Sequence, residues 1–340
     1  MNIDKYYYKI YEGCKPVEGA KRAVICDLER KSAILITKDL FSILRDNKLN
    51  SIGEIKSLYG KDNENTIQEY FDFLIENEII HLCEKDELDL FPEVSLKWEI
   101  PSIISNAIID YDKESTFSFE DIFMQLNSLG CIDLLLRFYD DISLGNLKEI
   151  LEKLNKTTIE NIQLVLKYSN SFVNEEDILI LKKEFSRLAS VIIFNSPVNP
   201  NLKNSNKEFD LIYTQEVLNP ESHCGFISPK SFRFNFDFYT ESLKHNNCLN
   251  KKISIDINGN IKNCPSAKPN YGNISSTKLS DVLPNENFKK LWHVNKDSVE
   301  KCKDCEFRYI CSDCRIFTEK DELHSKPLNC NYDPYNAKWN

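Results

Sequence analysis

Four cysteines fall within thirteen residues near the end of this 340-residue chain: Cys302, Cys305, Cys311 and Cys314. Thiolates so spaced are soft ligands, and the chemistry they suit is metal binding. A zinc ribbon would part its two CxxC knuckles by roughly 15–20 residues. The short, unequal gaps here are more typical of iron–sulfur sites, where thiolates converge on the corners of a compact cluster. Four thiols this close do not easily all face one site, and dividing them between two neighbouring clusters is geometrically easier. Three further cysteines flank the group: Cys248 and Cys264 before it, and Cys330 after a loop containing Pro327. Zinc held by the same thiolates stays open as an alternative.

Seven of the twelve cysteines thus lie from Cys248 onward, while Cys14, Cys26, Cys83, Cys131 and Cys224 are scattered. That shift marks the firmest domain boundary. A second lies near residues 84–101, where EKDELDLFPEVSLKWEIP has charge runs, two prolines and no sustained period. The expected division is residues 1–85, 100–220 and 221–340.

The elements that must position the cysteines follow from periodicity. In the first segment Arg22–Leu28 and Ser32–Thr37 are β-prone stretches around a charged turn. Lys38–Arg45 reads as a short helix, and Ser51 with Glu54 opens a second through a capping box. Ile67, Tyr70, Phe71 and Leu74 share one face of a third, and Ile79–Cys83 returns as a strand. This predicts a small winged-helix-like domain. The middle segment alternates. Strands are expected at Ile103–Tyr111, Ile132–Tyr139, Ile162–Tyr168, Val191–Asn195 and Leu211–Thr214. Helices are expected around Phe119–Leu126, Leu147–Leu154 and Ile178–Phe185. Such alternation implies βαβ units and a parallel sheet, with about four units, too few for an eight-fold barrel. An incomplete barrel or an open sheet is expected. Further on, IDINGNIKNC predicts a hairpin turning at Asn258-Gly259, which would project Cys264 and Cys248 toward the knuckles.

Bulk properties narrow the function. A formal net charge of −10 opposes nucleic-acid binding. No apolar run approaches the ~20 residues that cross a bilayer, and MNIDKYYYKIYEG lacks the apolar core of a secretory signal. The chain reads as cytoplasmic, with its thiols reduced. P-loop, GxSxG and HExxH motifs are missing from the sequence.

Cys248, Gly259, Cys264, Cys302, Cys305, Cys311, Cys314 and Cys330 together resemble the SPASM domain of radical-SAM peptide maturases, which runs C…GxxxxC, CxxCxxxxxCxxxC and a last C. The gap between Cys311 and Cys314 is two residues where that family usually has three. The resemblance implies two [4Fe–4S] clusters. Cys302, Cys305, Cys311 and Cys330 would hold one; Cys248, Cys264 and Cys314 would hold the other, which is one ligand short. Ser254 stands where some members place an extra cysteine, so Cys224 is the expected fourth ligand, with His223 or an open iron site as rivals. The segments KPVEGAKRAVICDLER, HCGFISPKSF, CLNKKISIDINGNIKNCPS, YGNI and CKDCEFRYICSDCR further resemble the SPASM-domain maturases of grasp-with-spasm systems. That resemblance implies an ATP-grasp ligase and a ribosomally made precursor peptide as partners. Active radical-SAM enzymes carry CxxxCxxC after the first barrel strand, yet residues 110–130 contain no cysteine. Cleavage of S-adenosylmethionine is therefore not expected, and the middle domain reads as a degenerate scaffold.

The expected fold is α/β: a winged-helix-like peptide-binding domain, an incomplete barrel-like middle domain and a cysteine-rich SPASM domain. The expected function is an iron–sulfur accessory protein of peptide maturation that binds the precursor's leader. A maturase that uses an auxiliary cluster catalytically, and a zinc-stabilised interaction module, are the alternatives. Cys14, Cys26, Cys83 and Cys131 read as buried structural residues. His81, His245, His293 and His324 lack paired spacing. Arg308, Asp313 and Arg315 read as solvated charge rather than donors to sulfur. Phe232, Phe234, Phe236 and Phe238 alternate as in a half-buried strand.

Overall fold

The computed structural model describes residues 2–169, 175–197, 209–219 and 227–340. The N-terminal unit opens with β1 (Tyr7–Ile10), followed by the antiparallel sheet of β2 (Cys14–Glu18), β3 (Ala23–Asp27) and β4 (Ser32–Ile36). β3 is central and buried along its whole length, which explains its unbroken apolar run. Three helices follow: α1 (Lys38–Asp46), α2 (Ile52–Tyr59) and α3 (Glu64–Glu76). Thr37 caps α1 through its side chain, and Ser51 with Glu54 forms the expected capping box on α2. Ile67, Phe71 and Leu74 of α3 enter a core with Leu40, Ile43 and Ile55. β5 (Ile80–Cys83) pairs antiparallel with β1.

The middle unit is built from β6 (Asn106–Tyr111), α4 (Phe119–Ser128), β7 (Asp133–Phe138), α5 (Leu144–Lys153), β8 (Asn161–Lys167), α6 (Glu175–Glu184), β9 (Leu188–Phe194) and β10 (Asp210–Tyr213). These match the expected strands and helices to within a few residues. Ser118 and Ser143 cap α4 and α5 by accepting backbone N–H groups. The five strands pair in parallel and in chain order. They form a row rather than a closed ring.

One sheet spans the expected boundary at residues 220–221. The anticipated hairpin is β11 (Lys252–Ile255) and β12 (Ile261–Lys262), and β11 pairs in parallel with β6. The sheet thus has seven strands in the order β10-β9-β8-β7-β6-β11-β12. Gly259 takes φ +78 at the turn, and Asp256 accepts from the backbone N–H groups of Asn258 and Asn260. A buried cross-strand ion pair ties β6 to β7, with Arg137 donating to both carboxylate oxygens of Asp110 at 2.6 and 2.7 Å.

The expected strand through Phe232–Phe238 is not present. A helix, α7 (Phe236–Ser242), starts there, capped by the Asn235 side chain accepting from the Phe238 N–H. Phe232 and Phe234 precede it in non-strand backbone and pack with Phe236 against Val17, Val24 and Phe307. Apolar contact with the N-terminal sheet, not a pleat, explains the phenylalanines. Among the described residues no helix is long and apolar enough to cross a membrane.

Candidate metal centre

Cys302 opens a tight turn in which the Cys305 N–H donates to the Cys302 carbonyl at 3.0 Å. Two more turns follow, from Arg308 to Cys305 and from Ile310 to Phe307. Successive three-residue turns coil the chain tightly, and coiling is what lets residues 302, 305 and 311 present thiols to one space. Lys301 enters this segment at φ +61. The chain then returns: Arg315 donates to the carbonyls of Leu323 and Ser325, and the Cys330 N–H donates to Pro327. This return brings the last cysteine back to the first three.

The result is a single cavity lined by Cys302, Cys305, Cys311 and Cys330. These are the four residues that the resemblance assigns to one cluster. Four cationic side chains, Lys296, Lys301, Arg308 and Lys326, line the same cavity. Burial pushes the Cys302 thiol up to about 12, against the opposing influence of Lys296. Burial likewise raises the Cys305 and Cys311 thiols. Without metal these groups are neutral thiols; binding a metal would release their protons and make folding and chelation one process. Soft donors, a shared cavity and a cationic lining fit an anionic iron–sulfur cluster.

The second set is held nearby by a different route. Asn246 and Asn247, just before Cys248, bond to the knuckle segment: Asn246 Nδ2 to Asp313 at 2.7 Å, and Asn247 Nδ2 to the Cys311 carbonyl at 3.0 Å. Cys248 and Cys264 share a small apolar cluster with Leu249, Ala267, Leu291 and Ile316. Cys314 is buried two residues before Ile316. Lys252 Nζ lies 3.7 Å from the Cys248 sulfur. Ser254 is buried in β11 and donates to the Lys262 carbonyl, so its hydroxyl is committed to the hairpin. Cys224 and His223, the candidates for the missing ligand, lie outside the described residues.

Among the described residues no disulfide joins two cysteines, and no three His, Cys, Asp or Glu side chains gather as ligands of one metal ion. Cys14, Cys26, Cys83 and Cys131 are all buried. Cys26 belongs to the apolar cluster that backs Cys305 and Cys330.

The expectation of solvated charge among the knuckles is corrected. Asp313 and Arg315 are buried and form an ion pair at 2.8 Å. Arg308 reaches back to Asp297 at 2.9 Å and to the Glu18 carbonyl. These charges hold the loop in shape. Sequence reading also missed Lys296, a buried lysine in a polar stretch that gives no signal of burial. It missed the histidine pair as well: the rings of His245 and His293 lie 5.6 Å apart, from segments 48 positions distant.

The N-terminal unit packs directly on this centre. Val17, Val24, Cys26 and Leu28 meet Phe307, Ile310 and Tyr332, with Cys305 and Cys330 at the margin. Arg22 donates to the buried Glu306 carboxylate at 2.7 Å, Tyr332 donates to the same oxygen, and the Ala20 N–H donates to the Asp304 carbonyl. The loop that carries Cys302 and Cys305 is thus clamped between two parts of the chain.

Comparison with known proteins bears on the same segment. Residues 247–306 match the SPASM family, described as an iron-sulfur cluster-binding domain. No curated protein matches the chain. Among solved structures, the chain is similar to SuiB of Streptococcus suis in the crystal structure of SuiB bound to the precursor peptide SuiA. Identity is 11% over 91% of this chain and 96% of that one, with a TM-score of 0.32. Four of the eight candidate ligands, Cys248, Cys264, Cys302 and Cys305, fall inside the matched iron–sulfur segment, and Cys311, Cys314 and Cys330 follow it.

Proposed function

We propose that this protein carries two [4Fe–4S] clusters and serves as an accessory factor of ribosomal peptide maturation, binding the precursor's leader beside a partner ligase of ATP-grasp type. The observation that carries the proposal is the single cavity lined by Cys302, Cys305, Cys311 and Cys330 together with four cations. Thiols spread around a cavity suit a cluster, whose irons stand apart, better than one tetrahedral zinc ion with sulfurs at about 2.3 Å. Cys248, Cys264 and Cys314, with Cys224, are assigned to the second cluster. Bound in this way, such clusters supply electron transfer and cross-link the chain. The protein's own part is to exclude water from the sulfurs and to fix the knuckle loop against the N-terminal unit. CxxxCxxC is missing after β6, where the sequence runs DKESTFS, so radical chemistry on S-adenosylmethionine is not assigned to this chain.

Leader binding is assigned to residues 1–85, read as a winged-helix-like domain. β4 pairs only with β3 among the described residues, so its outer edge is open to an added strand. Leu35 is exposed on β4, and Ile34, Tyr70 and Phe73 lie partly buried beside the helical core. Titrating the full chain with precursor leader should slow amide hydrogen exchange across Ser32–Ile36. Unchanged exchange there at saturating peptide would remove leader recognition from the model.

A further inference from the structure

We propose that Lys296 is the resident counter-charge of the cluster held by Cys302, Cys305, Cys311 and Cys330, a positioning residue that raises the cluster's reduction potential and secures its retention; the proposal rests on reading that cavity as a cluster site. Of the four cations lining the cavity, Lys301 and Lys326 pair with Glu319, and Arg308 pairs with Asp297. Lys296 has no carboxylate within ion-pair distance among the described residues, although it is 4% exposed. Its ammonium donates to two main-chain carbonyls, Cys311 and Ser312, each at 2.8 Å. Asp313 lies in the neighbourhood, but its oxygens are taken by Arg315 and Asn246.

A buried ammonium without a paired carboxylate is costly to maintain, and such charges persist where an opposite charge compensates them. Cys302 and Cys311 line the same cavity as this lysine, whose ammonium is bonded to the Cys311 carbonyl. Those two cysteines are candidate ligands, so the missing anion is the cluster they would bear. Anchored on the carbonyls of Cys311 and Ser312, the ammonium also fixes the backbone of a ligand. A fixed cation beside a cluster favours the reduced, more negative state, because charge and hydrogen bonding around the sulfurs set the potential.

Lys296→Met removes the charge and keeps the bulk; Lys296→Arg keeps the charge. Both are compared with the unaltered protein after anaerobic reconstitution, following the spectroscopic signal that Cys330→Ser abolishes. Lys296→Met should lower that midpoint about tenfold in the reduced-to-oxidised ratio at fixed potential, or about 59 mV for one electron. It should also release iron to a chelator about tenfold faster, with Lys296→Arg staying within about twofold of the parent on both readouts. Failure of Lys296→Met to take up that cluster while Lys296→Arg does so supports the same role. An unmoved midpoint in loaded Lys296→Met, or Lys296→Arg behaving like Lys296→Met, overturns it. Parent protein that takes up no iron would instead defeat the cluster reading itself.

Discussion

Cys311→Ser is expected to halve the iron of the purified protein, from about eight to about four atoms per chain if each set holds one [4Fe–4S] cluster. Cys311 is buried and faces the cavity with Cys302, Cys305 and Cys330. A serine hydroxyl is a harder donor that ionises far less readily, and it leaves one iron corner without thiolate. The loss should also destabilise the fold, since chelation and folding are coupled in ligand-rich segments. The knuckle loop would lose its internal cross-link and loosen its packing on Val17, Val24 and Tyr332. Two controls sharpen the test. Cys264→Ser should remove the other half of the iron. Cys131→Ser should leave iron unchanged, because Cys131 is buried in the middle-unit core, its sulfur 3.3 Å from the Asp133 carbonyl. Iron and sulfide assays read all three. Equal iron in Cys311→Ser and Cys131→Ser would separate Cys311 from the metal.

The second large effect concerns the scaffold. Arg137→Met should destabilise the protein by about 3–5 kcal/mol, the usual cost of leaving one partner of a buried ion pair uncompensated. Asp110 is fully buried, and Arg137 neutralises it from the adjacent strand. Lys262 cannot readily replace Arg137, since it pairs with Asp256 at 2.9 Å. The double variant Asp110→Leu with Arg137→Met should recover most of the loss, because an apolar pair of similar volume carries no desolvation cost. Denaturant unfolding measures both. A single variant as stable as the parent would show that Asp110 is solvated or otherwise paired.

How much of this was legible in the sequence depends on how local the deciding forces are. β6–α4–β7–α5–β8 could be read because apolar residues such as Phe119, Ile122, Phe123 and Leu126 repeat with the helical period, and serine caps announce the starts. That Cys302, Cys305, Cys311 and Cys330 line one cavity was foreshadowed by the order of the cysteines and the family resemblance it carries. Parallel pairing of β11 with β6 was not, since nothing near Lys252–Ile255 names a partner some 145 positions away. Phe232–Phe238 misled because alternate apolar residues also arise where an extended segment runs into a capped helix. Asp313 and Arg315 misled because charged residues in a polar stretch look solvated until the Leu323–Ser325 return covers them. Lys296 was invisible for the same reason: burial of a lone lysine is decided by the fold around it.

The central claim is that the C-terminal thiols chelate iron as clusters. Protein purified anaerobically and assayed for iron, acid-labile sulfide and zinc decides it most directly. A brown protein with about eight irons and equal sulfide per chain is the predicted result; colourless protein carrying zinc alone, or no metal, would contradict it.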